Sequence, residues 1–271
     1  MRTKQELLDI IKKQLAIEYN CSVNDFSSSN NIITSLKNSE EKRHYINRTF
    51  FFQMVTFGDN AVITANENMH DWLKEFTKDK KGHWLFEHNN LIEIDKKLND
   101  YNKKLRQTHH MFLSYREILP KDLNLKLKWF ENEEIHQFYD TKMFPNAFCA
   151  KYNPKRPDVL AVAAYDEDKI IAMVGCSADT PLLWQIGIDV NENYRGKGIG
   201  TYLVTLLKNE TERRGKIPFY GTSLSNLYSW GIALNSGFTP AWIEIATIEK
   251  KEEKGRKRMK RNNNSCCTWI Q

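Results

Sequence analysis

Sulfur, long apolar runs and the signatures of common ligand sites are all scarce in this chain. Its five cysteines, at 21, 149, 176, 266 and 267, are odd in number and show no C-x-x-C spacing. That argues against a disulfide framework and for a reducing, cytoplasmic setting. No run of about eighteen apolar residues occurs, so no bilayer-spanning helix and no membrane partner are expected. The opening residues lead into Leu7, Leu8, Ile11 and Leu15 interleaved with charges, an amphipathic helix rather than a signal peptide. His83 and His88 do not share a helix face, and His109 and His110 point apart on most backbones. With no cysteine or carboxylate cluster to join them, no metal site is expected.

A net positive charge is also missing from most of the chain. Residues 250–261 carry eight Lys or Arg against Glu252 and Glu253, which accounts for the whole net charge of +6. The basic character is therefore a tail, expected to be disordered through Asn262–Ser265, and a nucleic-acid partner is not expected from it. Four residues follow Cys267, one too many for prenylation.

What is present is concentrated in one stretch, Asn193-Tyr-Arg-Gly-Lys-Gly-Ile-Gly-Thr201. Glycines at 196, 198 and 200 let the backbone bend and turn amide N–H groups outward, and Ile199, Tyr202, Leu203, Leu206 and Leu207 then follow helical spacing. An amide nest opening into a helix N-terminus is an anion site. Upstream, Leu182–Val190 alternates as a strand, with Ile186, Ile188 and Val190 on one face and Gln185, Gly187 and Asp189 on the other. The spacing fits neither a P-loop nor the dinucleotide fingerprint G-x-G-x-x-G.

It does fit Arg/Gln-x-x-Gly-x-Gly/Ala, through Arg195, Gly198 and Gly200, and so resembles the pyrophosphate loop of the GCN5-related N-acetyltransferase (GNAT) family. Asn226 to Phe238, running Asn-Leu-Tyr-Ser-Trp-Gly-Ile-Ala-Leu-Asn-Ser-Gly-Phe, resembles a later motif of that family at matching spacing. A strand at Ile217–Thr222 and a hairpin of Val159–Tyr165 and Lys169–Ala178 about Asp166-Glu167-Asp168 stand in the family's order. The resemblance covers about residues 122–250. It implies a cytoplasmic enzyme that moves an acetyl group from acetyl-CoA, as cosubstrate, to an amine acceptor by direct attack in a ternary complex.

The resemblance assigns roles by position. The backbones of Ile188 and Val190 would bind the pantetheine arm and polarise the thioester carbonyl. Arg195, Gly196, Lys197, Gly198, Ile199, Gly200 and Thr201 would hold the pyrophosphate, and Asn226 would contact the pantetheine arm. Many members carry a tyrosine seven residues beyond that asparagine, as acid for the departing thiolate. This chain has Ala233 there, so Tyr228, Ser229 or water is the substitute. For the base that frees the acceptor amine, Asp189 and Glu244 are the candidates. Ala233 also motivates the alternative of an acyl-CoA-binding or regulatory module without efficient catalysis.

The expected fold is α/β with a mixed sheet. Residues 1–120 form an N-terminal α/β domain, read either as a degenerate copy of the GNAT fold or as a substrate-shaping domain. Residues 121–250 form the acetyltransferase domain, and 251–271 the tail. Within 1–120 the pattern predicts a hairpin of Phe50–Phe57 and Ala61–Ala65, a helical face of Met69, Trp72, Leu73 and Phe76, a strand at Trp84–Phe86, and a helix carrying Leu91, Ile94, Leu98, Tyr101 and Leu105.

Overall fold

The computed structural model describes residues 2–43, 50–141 and 143–249; the basic tail, with Cys266 and Cys267, lies outside them. The first helix, α1 (Lys4–Glu18), starts where a capping box permits. Thr3 Oγ1 accepts from the Glu6 N–H, and the Thr3 N–H donates to Glu6 Oε2 at 2.7 Å. Its Leu7, Ile11 and Leu15, one turn apart, are buried against the sheet. β1 (Ile32–Ser35), β2 (Phe52–Thr56) and β3 (Ala61–Ala65) follow, with β2 and β3 paired as the predicted hairpin.

Helix α2 (His70–Thr77) buries Leu73, and α3 (His88–Asn99) buries Ile94 and Leu98. Two local expectations fail here. Trp84–Phe86 is not a strand but part of a 3-10 turn, Gly82–Phe86. Gly82 donates to Asp59 O at 3.0 Å, and a Cβ on it would stand 2.0 Å from Asn60 C, so the hairpin loop occupies the space a strand would need. The helix also stops before Leu105. Asn102 takes a left-handed φ of 55°, and Leu105 enters β4 (Lys103–Leu105) opposite Thr247.

β5 (His109–Ser114) and β6 (Lys126–Glu131) lead to the predicted hairpin of β7 (Asp158–Asp166) and β8 (Lys169–Ala178). Then come β9 (Leu183–Val190), α4 (Ile199–Arg213), β10 (Ile217–Ser223), α5 (Leu227–Asn235) and β11 (Phe238–Glu249). Among the described residues, a mixed sheet of eleven strands runs in the order β1-β3-β2-β11-β5-β10-β9-β8-β7-β6, with β4 alongside β11. This is the mixed α/β architecture expected of the chain.

Alternation along the strands assigns the helices to two faces. Met111, Phe219 and Trp242 belong to the core under α1, whereas their neighbours Phe112 and Tyr220 belong to the core under α4 and α5. Phe52, Met54 and Ile63 bury α2 and α3 on the face opposite α1. The helix face of the C-terminal half thus continues into the N-terminal half.

One strand joins the halves most directly. β5 lies between β10 and β11 and is antiparallel to both, with Phe112 opposite Tyr220 on one side and Pro240 on the other. Met111, Phe112 and Leu113 are each at most 1% exposed, so their burial contributes roughly 1.5–3 kcal/mol apiece. That sum is comparable with the whole stability of a typical domain, about 5–15 kcal/mol. A chain limited to residues 121–249 is therefore expected to lack a cooperative urea transition and a near-ultraviolet circular dichroism band. The full chain should unfold in one transition.

Candidate functional site

β9 and β10 are parallel, but their ladder spans only Leu183–Ile186 against Ile217–Tyr220. Beyond that point Gly187–Val190 pairs with β8 alone, Ile188 opposite Val174 and Val190 opposite Ala172. The edge facing β10 keeps its N–H and C=O groups without a strand partner. Such a split edge accepts an extended chain that carries amides of its own.

The split leads straight to the glycine loop. Asn191 Oδ1 accepts from the Asn193 N–H at 3.2 Å and starts a short turn, Glu192–Tyr194. The Tyr194 hydroxyl donates to Asp166 Oδ2 at 2.5 Å, tying the loop to the β7–β8 hairpin. Gly196 and Gly198 have φ of 76° and 79°, a left-handed geometry that favours glycine, and Gly198 caps α4 without a side chain. Among the described residues, none of the amide N–H groups of 196–201 has an acceptor. Together with the dipole of a 15-residue helix they make a place for an anion.

The model of the acetyltransferase (GNAT) family matches residues 124–238. The C-terminal half is a GNAT-family domain. Among solved structures, a putative GNAT acetyltransferase from Novosphingobium aromaticivorans is 13% identical, with 56% of this chain and 69% of that one covered at a TM-score of 0.44. A GNAT acetyltransferase from Colwellia psychrerythraea is 14% identical, with 56% and 60% covered at 0.40. A Drosophila protein is 12% identical, with 90% and 89% covered at 0.46. No curated protein matches the sequence.

Within the GNAT domain the loop residues do different things. Arg195 Nε donates to Val190 O at 3.1 Å, so this guanidinium closes the end of β9. Lys197 is exposed, its ammonium 4.9 Å from the Tyr194 ring centroid. Ile199, the first residue of α4, is buried. Gly200 is a packing glycine: a Cβ there would lie 2.9 Å from Ile232 Cδ1 on α5. Thr201 O accepts from Thr205 Oγ1 and Ser236 Oγ, at 2.7 and 3.2 Å. Asn226 caps α5, Oδ1 accepting from the Ser229 N–H at 3.2 Å, and its Nδ2 makes no hydrogen bond among the described residues.

The side chains proposed from sequence for proton transfer are not brought together. Tyr228 is 91% exposed on the outer side of α5. Asp189 accepts from Asn146 N, Asn146 Nδ2 and Ala147 N at 2.8, 2.5 and 2.9 Å, and its burial raises its pKa. It anchors residues 146–147 over Gly187, where a Cβ would sit 1.9 Å from Asn146 O. Glu244 stands on β11, separated from β10 by β5, and its Oε2 accepts from Arg43 Nη2 and Trp242 Nε1 at 2.9 and 2.7 Å.

A cavity of mixed polar and apolar lining near the split has no counterpart in any sequence motif. It is lined by Asn146, Cys149, Arg156, Asp158, Ser177 and Gln185, by the apolar Pro145, Ala147 and Phe148, and by residues 186–188 and 220–221 of the splitting strands. Arg156 pairs with Asp179 through Nε at 2.5 Å and donates from Nη2 to Gln185 Oε1 at 2.9 Å. Asp158 Oδ2 accepts from the Tyr139 hydroxyl and the Cys149 N–H, both at 3.0 Å. Asp158, Ser177 and Gln185 form a row across β7, β8 and β9, a register no local pattern reveals.

Burial raises the Asp158 carboxyl from 3.8 to about 6, against the lowering effect of its hydrogen bonds. Between those values the folded chain holds a proton that the unfolded chain has lost. The stability it confers is therefore full below about pH 4 and lost as the pH rises through about 6. Asp158→Asn keeps an acceptor for the Cys149 N–H without the charge. Its stability relative to wild type, from urea denaturation, should rise on the order of 2 kcal/mol from about pH 4 to pH 7.

Proposed function

We propose that this protein transfers an acetyl group from acetyl-CoA to an amine by direct attack in a ternary complex. The observation that carries this reading is the continuity between the unpaired edge of β9 and the unpartnered amides at the start of α4. An extended amide-bearing arm ending in a pyrophosphate matches both ends of that path. Acetyl-CoA supplies, when bound, an acyl group activated as a thioester.

The remaining roles fall to the chain. Backbone groups of Ile188 and Val190 hold the arm, and one N–H on this edge polarises the carbonyl under attack. The amides of Arg195, Gly196, Lys197, Gly198, Ile199, Gly200 and Thr201 receive the pyrophosphate, with Lys197 adding charge, and Asn226 Nδ2 donates to the arm. The acceptor enters from the α1 face, where the cavity reaches the split, because α4 and α5 fill the other face with apolar core. Asp189 and Glu244 remain candidate bases only by rearranging the hydrogen bonds they already make. A cytoplasmic setting suits this reading, since Cys21, Cys149 and Cys176 are free thiols, and no described helix is long and apolar enough to cross a membrane.

A second reading, an acyl-CoA-binding module without efficient turnover, is favoured by one observation: position 233 is a fully buried alanine. Saturable release of CoA thiol with a panel of amines separates the two. For binding itself, calorimetry with acetyl-CoA should give a saturable isotherm. Gly198→Glu, which sets a carboxylate against the phosphates and strains a left-handed position, should weaken it about 10- to 100-fold, or about 1.4–2.8 kcal/mol. Wild-type chain that does not bind acetyl-CoA would sink the proposal.

A further inference from the structure

Tyr220 occupies the vertex from which β9 and β10 part, directly opposite Ile186. Its ring is 2% exposed and packs between Phe112 and Phe238, with centroids 6.5 and 5.9 Å away, on the face covered by α4 and α5. Its hydroxyl lies 2.7 Å from Ser229 Oγ. Ser229 sits one helical turn before Ala233 on α5, so the two share a helix face, and both are buried.

Side chains on a helix lean toward its N-terminus, so a phenol carried at 233 would set its hydroxyl over the turn that holds Ser229. Tyr220 brings a phenol hydroxyl to that same turn from the adjoining strand. Tyr220 and Ala233 belong to one buried cluster. Tyr220 also lines the cavity between the splitting strands, together with Gly187, Ile188 and Gly221. Exposed Tyr228 on the outer side of α5 has none of these relations.

We propose that Tyr220, backed by Ser229, is the proton donor to the departing CoA sulfur, an assignment that rests on the acetyl-CoA reading above. As the amine nitrogen forms its bond to the acyl carbon, the C–S bond breaks and its electron pair passes to sulfur. The Tyr220 hydroxyl proton goes to that sulfur, and the phenolate oxygen recovers a proton from the Ser229 hydroxyl, which is replenished from solvent. The attacking nitrogen gives its surplus proton to solvent, so the products are amide and thiol.

The test uses full-length protein and coenzyme A, with no acceptor needed. The thiolate ultraviolet band of bound CoA is followed against pH in wild type and Tyr220→Phe, and affinity for CoA is measured by calorimetry. In wild type the bound thiol should ionise at lower pH than free CoA, because the phenol O–H donates to the sulfur anion. Tyr220→Phe should remove about one pH unit of that depression, a tenfold change in thiolate fraction, while CoA affinity stays within about twofold. Ser229→Ala should remove part of it, and serves where the phenylalanine variant does not fold. A purely structural Tyr220–Ser229 bond would leave the thiol titration unchanged, and that result overturns the assignment. Loss of the depression in Tyr228→Phe instead would transfer the role to Tyr228. Absence of CoA binding by wild type overturns the acetyl-CoA reading, and with it this assignment, and is distinct from binding without a Tyr220 effect.

Discussion

The unpaired inner edge of β9 is the feature on which everything else turns. Backbone N–H and C=O groups inside a sheet ordinarily find a strand partner, and leaving several exposed at a strand end is costly unless the surroundings hold it open. Here both sides are held. Asp189 clamps residues 146–147 over Gly187 on the α1 face, and on the other face Gly200 brings the start of α4 against Ile232 of α5 and close to Val190. β10 meanwhile keeps its other edge paired with β5 from Phe219 to Ser223. The strands part because each is better secured to its outer neighbour.

That dependence explains why the N-terminal residues cannot be treated as an appendage. β5 is contributed from before residue 120, yet it supplies the partner that holds β10 in place. A buried ion cluster adds a second tie. Arg43 donates to Glu18 of α1 and to Glu244 of β11, and Trp242 shares the latter carboxylate. A buried cluster of this kind is a poor source of net stability, because desolvation offsets most of the attraction. Removing one member is costly, so the cluster fixes which surfaces meet.

The local elements were legible for physical reasons that act over a few residues. Leu7, Ile11 and Leu15 mark α1 through their period, and Gly196 and Gly198 mark the loop because only a residue without Cβ takes a left-handed φ at no cost. Trp84–Phe86 looked like a strand because short apolar runs carry no period of their own. The end of α3 is not legible locally, because Asn102 turns left-handed in a stretch whose apolar spacing continues to Leu105. Tyr228, Asp189 and Glu244 are polar groups near the motifs, but spacing does not report which way a side chain is committed.

The sequence alone was enough for α1, the β2–β3 and β7–β8 hairpins and the glycine loop of residues 195–201, because each depends on groups within a turn or two of chain. Tertiary structure alone decided the split between β9 and β10, the insertion of β5 between strands from the other half, the cavity at Asp158 and Gln185, and the meeting of Tyr220 with Ser229. These depend on partners brought together across the sheet, as far apart as Arg43 and Glu244 at a separation of 201 residues. Side-chain period records which face is buried, but not against what.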